Sequence, residues 1–188
     1  EDGRRLAVCT TNALFLLDAA SGAEIARWPL ADTQWRDRVI ALSPDGTRLA
    51  VTCAAPRSLV CLVDLRRGEV VARLPAGHTA LGPVFSPDGS QLYVCERHDH
   101  DVLVIDVARR RGLARIPVER EPVAAALTPD GRRLLVANHL PAVAAGAAQV
   151  AASVTVIDPA ARRVAHTLSL PNGSNLLLGL AVSPDGRY

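Results

Sequence analysis

The sequence has no lysine, no methionine, few aromatic side chains and no long apolar run. Its aromatic residues are two each of Trp, Tyr and Phe, too few for the stacking platforms that hold single-stranded nucleic acid. No apolar stretch approaches the ~18 residues that a helix needs to cross a bilayer, so we expect no membrane span. The formal charge is only +2, and this near balance gives no argument for a nucleic-acid or anionic-membrane partner.

Sequence motifs for cofactors and metals are also missing. There is no Cys-x-x-Cys-His for c-type haem and no zinc spacing, so we predict no cofactor in this segment. Of the four cysteines, Cys53 and Cys61 flank one predicted hairpin loop and could face each other across neighbouring strands. Two interpretations stay open: buried small apolar residues, or a Cys53–Cys61 disulfide, which would indicate an oxidising compartment.

One tetrapeptide recurs at a near-constant interval. Its copies are Ser43-Pro44-Asp45-Gly46, Ser86-Pro87-Asp88-Gly89, Thr128-Pro129-Asp130-Gly131 and Ser183-Pro184-Asp185-Gly186, with the remnant Glu1-Asp2-Gly3. Successive aspartates are 43, 43, 42 and 55 residues apart. A period of about 40–45 residues of strand and turn is typical of the four-stranded blade of a β-propeller.

Each repeat divides into four short strands. In the second repeat the predicted strands are Val39–Leu42, Leu49–Cys53, Leu59–Val63 and Val70–Leu74. The third is apolar on both faces, as expected for a sheet covered on both sides. The fourth is more polar, which suits an exposed outer edge. We therefore predict an all-β fold, a β-propeller of four-stranded antiparallel blades.

The whole chain, residues 1–188, is then a single propeller segment. Its repeats span roughly residues 1–43, 44–86, 87–128 and 129–183, and residues 184–188 start another. We interpret it as an internal piece of a longer protein, with about four blades forming an arc of a seven-bladed ring. Because each blade buries its sides only against its neighbours, the missing blades of the same propeller are the first expected partner.

The strand cores resemble a known family. Second strands read Leu92-Tyr93-Val94-Cys95 and Leu134-Leu135-Val136-Ala137-Asn138, and a third strand reads Val154-Thr155-Val156-Ile157-Asp158. Over essentially the whole chain this resembles the YVTN family of bacterial β-propellers, although Cys9 and Cys95 replace the family's Thr. The resemblance implies a seven-bladed, exported, surface-layer-like protein in the periplasm or at the cell surface.

The fourth repeat is similar to a subgroup of that family. It reads Val136–Pro141, an Ala-rich insertion, Ser153–Asp158 and Leu170–Ser174. Members often carry a c-type cytochrome or di-haem peroxidase-like domain, so the resemblance implies a haem-containing domain or an envelope protein as partner. Gly77-His78 also resembles a WD repeat, although Ile105-Asp106 replaces its Trp-Asp. Bacterial lactonases share the turn, but their catalytic residues have no match here.

Blade topology divides the loops between two ends. The Pro-Asp-Gly turns and the turns after each third strand lie at one end, here called the turn end, and they are uniform. The loops between strands two and three and the connections between blades lie at the other end, the loop face, and they vary, as binding surfaces do. The predicted loop face comprises residues 28–38, 75–82, 97–101, 139–152 and 171–175. Its candidate binding residues are Trp35, His78, Arg97, His98, Asp99, His100, His139 and Asn172.

Several of these features have two interpretations. The imidazoles and carboxylates of residues 98–101, with His139 one blade further, could hold a divalent metal or move protons, or could form a solvated hairpin tip; we assign no metal ligand. The long insertion either contacts a partner or is idle. The Arg109-Arg110-Arg111 run lies in a turn-end turn and is interpreted as a charged turn tip rather than an anion site.

No nucleophile, phosphate-loop or paired-carboxylate motif stands out, so we predict no catalytic residue. The favoured function is a non-catalytic propeller scaffold for protein or domain interaction in the bacterial cell envelope, serving a linked cytochrome c or peroxidase-like redox domain. The alternative is a propeller enzyme with an axial active site, a lactonase-like hydrolase or a dehydrogenase subunit. A surface-layer structural protein is a third hypothesis.

Overall fold

The computed structural model describes residues 4–10, 13–29, 38–53, 56–142, 148 and 150–188. These ranges contain fifteen strands and no helix that could cross a bilayer. The strands in chain order are β1 (Arg5–Cys9), β2 (Ala13–Asp18), β3 (Glu24–Pro29), β4 (Arg38–Leu42), β5 (Arg48–Cys53), β6 (Leu59–Asp64), β7 (Glu69–Pro75), β8 (Ala80–Phe85), β9 (Gln91–Glu96), β10 (Asp101–Asp106), β11 (Arg111–Pro117), β12 (Pro122–Leu127), β13 (Leu134–Asn138), β14 (Ser153–Asp158) and β15 (Arg163–Ser169).

Each sheet consists of strands that are consecutive in the chain. Blade 1 is β1–β3, blade 2 is β4–β7, blade 3 is β8–β11 and blade 4 is β12–β15, and all neighbouring strands are antiparallel. The four strands predicted for the second repeat agree with β4–β7 to within one residue. The predicted all-β propeller fold is confirmed: the blades form an open arc, with three described strands in blade 1 and four in each of the others.

Successive blades pack face to face through apolar side chains. Along β9, Leu92 and Val94 pack against blade 2, while Tyr93 and Cys95 pack against blade 4. All four side chains are buried. Successive residues of a strand lie on opposite faces, so a strand covered on both sides is apolar throughout. Each such burial stabilises the fold by about 2 kcal/mol.

The first strand of each blade lies nearest the axis. β8 lies between β4 and β12 and contacts both. Gly82 of β8 has a φ of +51°, and a Cβ there would lie 2.9 Å from the Ala124 Cα and 3.1 Å from the Val123 carbonyl oxygen. Only glycine allows the two inner strands to approach so closely.

The turn end repeats one hydrogen-bond pattern. The Ser43 hydroxyl donates to Asp45 Oδ1 at 2.6 Å, and the Thr47 amide donates to the same oxygen at 3.0 Å. The three later copies of the motif make the equivalent bonds. Neighbouring turns also pack together, since a Cβ at Gly131 would lie 3.1 Å from the Pro87 ring. The motif therefore closes each hairpin and aligns adjacent blades.

The structure decides between the two interpretations of the cysteines. No disulfide links any of the four cysteines, all of which lie in the described ranges. Cys61 pairs with Val51 across β5 and β6 and not with Cys53, so the alternative of a Cys53–Cys61 disulfide is corrected to that of buried small apolar residues. Burial raises the pKa of the Cys61 thiol to about 11 and that of Cys95 to about 12. Both therefore stay protonated at neutral pH and behave as small buried apolar residues.

Candidate interaction site on the loop face

Backbone hydrogen bonds join the loops of the loop face. In blades 3 and 4 the loop between strands two and three bonds to the connection that leads into its own blade: the Arg97 amide donates to the Thr79 carbonyl at 3.1 Å and the His139 amide to the Glu121 carbonyl at 2.9 Å. Thr79 and Glu121 precede the inner strands of blades 3 and 4 and have φ angles of 63° and 56°. Left-handed backbone is uncommon for residues other than glycine. The connections therefore share one strained conformation that fixes where the loops lie.

Five predicted candidates meet between blades 2 and 4. The rings of His78 and His98 lie edge to face with centroids 4.7 Å apart. The His78 amide donates to Asp99 Oδ2 at 2.9 Å. Arg97 forms an ion pair with Glu121 at 2.7 Å, and the Glu121 amide donates to Nδ1 of His100 at 3.1 Å. Glu121 thus connects two predicted residues although sequence reasoning had not selected it.

The other candidates have positioning roles or lie outside the described residues. Nδ1 of His139 donates to the Leu177 carbonyl at 2.7 Å. The Asn172 side-chain oxygen accepts the Val150 amide at 2.8 Å and so anchors the fourth-blade insertion. Trp35 lies outside the described ranges. Within those ranges, no three His, Cys, Asp or Glu side chains are arranged to hold a metal ion.

A buried charged group missed by sequence reasoning lies beneath the loop face. Glu96, the last residue of β9, is 0% exposed. One of its carboxylate oxygens accepts the Gly77 amide and the other accepts the Arg115 guanidinium. Arg115 also lies 3.3 Å from an Asp101 oxygen and 3.7 Å from an Asp99 oxygen. One guanidinium therefore serves three carboxyl groups, which we call the blade 3 cluster: Glu96, Asp99, Asp101 and Arg115.

The blade 3 cluster binds a proton unusually tightly. Burial raises the pKa of Glu96 to about 8, and its hydrogen bond to Asp101 acts in the same direction. The Gly77 amide and the charge of Arg115 lower that pKa but do not cancel the effect of burial. Oδ1 of Asp101 is buried without a partner among the described residues. A hydrogen bond between the Glu96 and Asp101 carboxyl groups needs a proton on one of them, and the raised pKa of Glu96 places it there.

An alignment of the repeats shows that Glu96 is the only carboxylate at its position in the four blades. The equivalent second-strand residues in the other blades are Thr10, Cys53 and Asn138, none of which ionises as a carboxylate. A carboxylate that directly follows an apolar strand needs a partner, because an unpaired buried charge is costly. The partner, Arg115, lies on the outer strand and is not marked by any local pattern.

A groove runs along the inner strands of blades 3 and 4 and has a volume of about 550 Å³; we call it the axial groove. Its side chains differ chemically from those of the loop face. Its lining is Pro44, Pro83, Val84, Phe85, Pro87, Ala125, Ala126, Leu127, Thr128, Pro129, Leu180, Ala181 and Val182. This described part of the groove carries no ionisable side chain, so it gives no support to an axial active site.

Comparisons with known proteins identify the fold. The chain matches no protein-family model and no curated protein sequence. It is similar to Kuenenia stuttgartiensis hydrazine synthase, with a TM-score of 0.80 and 24% identity over 99% of this chain and 51% of that one. It is also similar to the β-propeller domain of Myceliophteria thermophila Cps50 (Swd1), with a TM-score of 0.78 and 16% identity over 98% of this chain and 57% of that one.

These similarities are of fold alone, because the sequence identities are low. The chain is a β-propeller arc and spans about half the length of the solved structures it resembles. The resemblance to the YVTN family stays a prediction.

Proposed function

We propose that this chain belongs to a non-catalytic β-propeller that binds a protein, or another domain of its own polypeptide, through the loop face. One observation carries the proposal: the blades repeat their frame and turn end but differ at the loop face. Blade 3 exposes His98, Asp99 and His100 there, whereas blade 4 carries a longer loop between β13 and β14, residues 139–152. Variable loops on a constant scaffold are typical of a binding surface.

The charges of the loop face suit a polar protein surface. Arg97 forms an ion pair with Glu121, and Arg120 lies between Glu119 and Glu121 in the sequence. The side chains of His98 and His100 are exposed. Charges of both signs at close spacing select a partner with the complementary pattern. They would not favour a simple polyanion or polycation.

The finer part of the proposal concerns the compartment and the partner. We propose that the protein works in the bacterial envelope and that its partner is a haem-containing redox domain. The similarity of the fourth repeat, Val136–Pro141 and Leu170–Ser174, to the cytochrome-linked YVTN subgroup supports this.

Charge swaps in the full-length protein test the interaction. Glu119→Arg/Arg120→Glu changes the loop face, and Arg67→Glu/Glu69→Arg changes exposed residues near the turn end; each pair leaves the net charge unchanged. After chemical cross-linking in cells, we expect the first pair to lose the partner captured by the parent protein and the second to keep it. Equal capture by both variants, with both folded, would refute binding through the loop face.

Absorption spectroscopy tests the redox part separately. The purified full-length protein and its cross-linked partner are reduced with dithionite and scanned for the bands of c-type haem. We expect those bands in the polypeptide or in the captured partner. A loop-face partner without haem would retain the interaction role and refute the redox role.

A further inference from the structure

The outer edges of the four blades are not alike. Each outer strand, β3, β7, β11 or β15, pairs with a strand on one side only among the described residues. One row of its backbone amides and carbonyls therefore has no strand partner. Natural sheets block such an edge with charged side chains and proline, because it would otherwise pair with a strand of another chain. Blades 1 to 3 carry both kinds of block, and blade 4 carries neither.

The hydrogen bonds between β14 and β15 show which residues form the outer edge of blade 4. The Leu170 amide, directly after β15, donates to the Ala152 carbonyl at 3.0 Å. Hydrogen-bonded and non-hydrogen-bonded pairs alternate along an antiparallel ladder, so Leu168 also bonds to β14. The amides and carbonyls of Thr167 and Ser169 then point away from the sheet. Equivalent bonds orient the outer strands of blades 2 and 3 in the same way.

Proline occupies the later of these two outward positions in the first three blades. The strand registers align Ser169 of blade 4 with Pro29, Pro75 and Pro117. Proline has no amide hydrogen, so in blades 1 to 3 this position cannot donate to an added strand. In blade 4 the Ser169 amide can donate, and Ser169 is exposed.

Arginine occupies the earlier outward position in the first three blades. The exposed residues aligned with Thr167 are Arg27, Arg73 and Arg115. Arg115 binds Glu96, but the equivalents of Glu96 in blades 1 and 2 are Thr10 and Cys53. A buried carboxylate at that position therefore does not account for the arginines of blades 1 and 2, and what the three share is a charge on the outer edge. From Val164 to Ser169, β15 has no charged side chain.

We propose that the outer edge of β15 pairs antiparallel with β15 of a second copy of this chain, so that the two blade 4 sheets join into one. A two-fold axis at Leu168 places Thr167 of each copy opposite Ser169 of the other. Each of these pairs can exchange two backbone hydrogen bonds, and threonine opposite serine is a favourable cross-strand pair. The same arrangement in blade 2 would place Arg73 opposite Pro75, whose missing amide removes half of the bonds. Because β15 complements itself in backbone groups and carries no charge near the axis, a second copy suits it as partner.

Analytical ultracentrifugation of the full-length protein tests the pairing. Because a contact made by one pair of strands is small, we expect a reversible equilibrium in which the dimer fraction rises with concentration. Thr167→Arg/Ser169→Pro gives blade 4 the edge of the other blades, keeps the bonds to β14 and should weaken the dimer by about tenfold or more. Thr167→Val/Ser169→Ala keeps both amides and adds no charge, so it should dimerise like the parent. A parent that stays monomeric at its highest soluble concentration, or equal association of the two variants, would overturn the proposal.

Cysteine cross-linking tests the position of the two-fold axis. Leu168→Cys places the thiols of two copies opposite each other in a non-hydrogen-bonded pair, whose Cα atoms are about 4.5 Å apart, within reach of a disulfide. Mild oxidation should join two copies of this variant, whereas Leu74→Cys, the matched change in blade 2, should stay monomeric. Equal cross-linking of both variants, or no cross-linking of Leu168→Cys, would overturn the pairing through β15. Cross-linking of Leu168→Cys to a different polypeptide instead of a second copy would also overturn it.

Discussion

In blade 3 the second strand ends at Glu96, and in blade 4 the equivalent residue is Asn138. Glu96 is bound by Arg115, which pairs with Leu103 across the outer strands. The equivalent of Arg115 in blade 4 is Thr167, which pairs with Thr155. There the Asn138 amide donates to the Ser153 and Thr155 hydroxyls at 3.0 and 2.8 Å.

Blades 3 and 4 form the same kind of sheet although the polar groups at the end of the second strand differ. Both blades keep the same register and two apolar faces, so neither set of polar groups is needed to define the sheet. A buried ion pair gains little net stability over neutral groups, because desolvation offsets the attraction. The blade 3 cluster has a local role instead: Glu96 and Asp99 bind the amides of Gly77 and His78 and thereby fasten the connection from blade 2.

Introducing the carboxylate of blade 3 at the equivalent position of blade 4 should have the largest effect on the free energy of unfolding. Asn138→Glu places a carboxylate in blade 4 without a guanidinium, and we expect it to lower the free energy of unfolding by about 3 kcal/mol at pH 9. Thr167→Arg in the same chain should restore at least about 1 kcal/mol, because it supplies the equivalent of Arg115. Urea unfolding of the two single variants and the double variant measures the coupling. If the effects of Asn138→Glu and Thr167→Arg on the free energy of unfolding were strictly additive, residues 138 and 167 would not be placed in blade 4 as Glu96 and Arg115 are in blade 3.

Removing the guanidinium from blade 3 should have the next largest effect. Arg115→Ala leaves three carboxyl groups without their cation, and we expect a loss of about 2 kcal/mol, limited because Arg115 is half-exposed and Glu96 can hold a proton. Thr167→Ala, the matched change in blade 4, should cost about 0.5 kcal/mol or less. Denaturant unfolding at neutral pH gives both values. Equal losses would contradict the difference between the blades.

The raised pKa of Glu96 predicts a pH dependence on the alkaline side. Its ordinary pKa of 4.5 rises to about 8 on folding, so the folded state holds the proton more tightly. This contribution to stability is complete below about pH 4.5 and is lost as the pH rises through about 8, by at most about 1.4 kcal/mol per unit. Unfolding curves between pH 5 and 9 should show this slope in the parent and not in Glu96→Gln. A parallel slope in the variant would assign the proton to another group.

The turn end should show the smallest difference between the blades. Asp88 and Asp130 each accept the hydroxyl two residues before them and the amide two residues after them, and the pKa of each is lowered, first by the hydroxyl of Ser86 or Thr128; Asp88 accepts the Ser90 hydroxyl as well. Their contribution is present above the ordinary pKa of 3.8 and is lost as the pH falls below it. Once that extra bond is removed by Ser90→Ala, Asp88→Asn and Asp130→Asn should therefore shift the urea midpoint by the same small amount at pH 7. A clear inequality would show that these turns are not equivalent.

Much of the architecture was predictable from the sequence because it is periodic. The recurrence of Ser-Pro-Asp-Gly sets the turns, and runs such as Val102–Ile105 are apolar on both faces because blades cover both sides. Loop placement followed from topology, so His78, Arg97 and His98 were correctly placed on one surface. These inferences use local patterns that repeat, and the repeats reinforce one another.

The polar contacts beneath the loops were not predictable in the same way. The link from Glu96 to Arg115 joins two strands that are not adjacent in the sheet, and the link to Gly77 crosses from one blade to the next. The sequence left a Cys53–Cys61 disulfide open as one of two interpretations, because only strand register, which composition does not determine, shows that Val51 lies opposite Cys61. Contacts of this kind depend on register and on blade packing, which single-blade patterns do not contain.

Hydrogen exchange of the full-length protein at pH 6 and pH 9 tests most directly whether Glu96 gives blade 3 an ionisable contact beneath the loop face that blade 4 lacks. After correction for intrinsic rates, we predict faster exchange at pH 9 in residues 76–80 and 96–101, where ionised Glu96 loosens the connection. Residues 138–142 and 150–155 of blade 4 should exchange equally at both pH values. Acceleration in both blades, or in neither, would contradict the account.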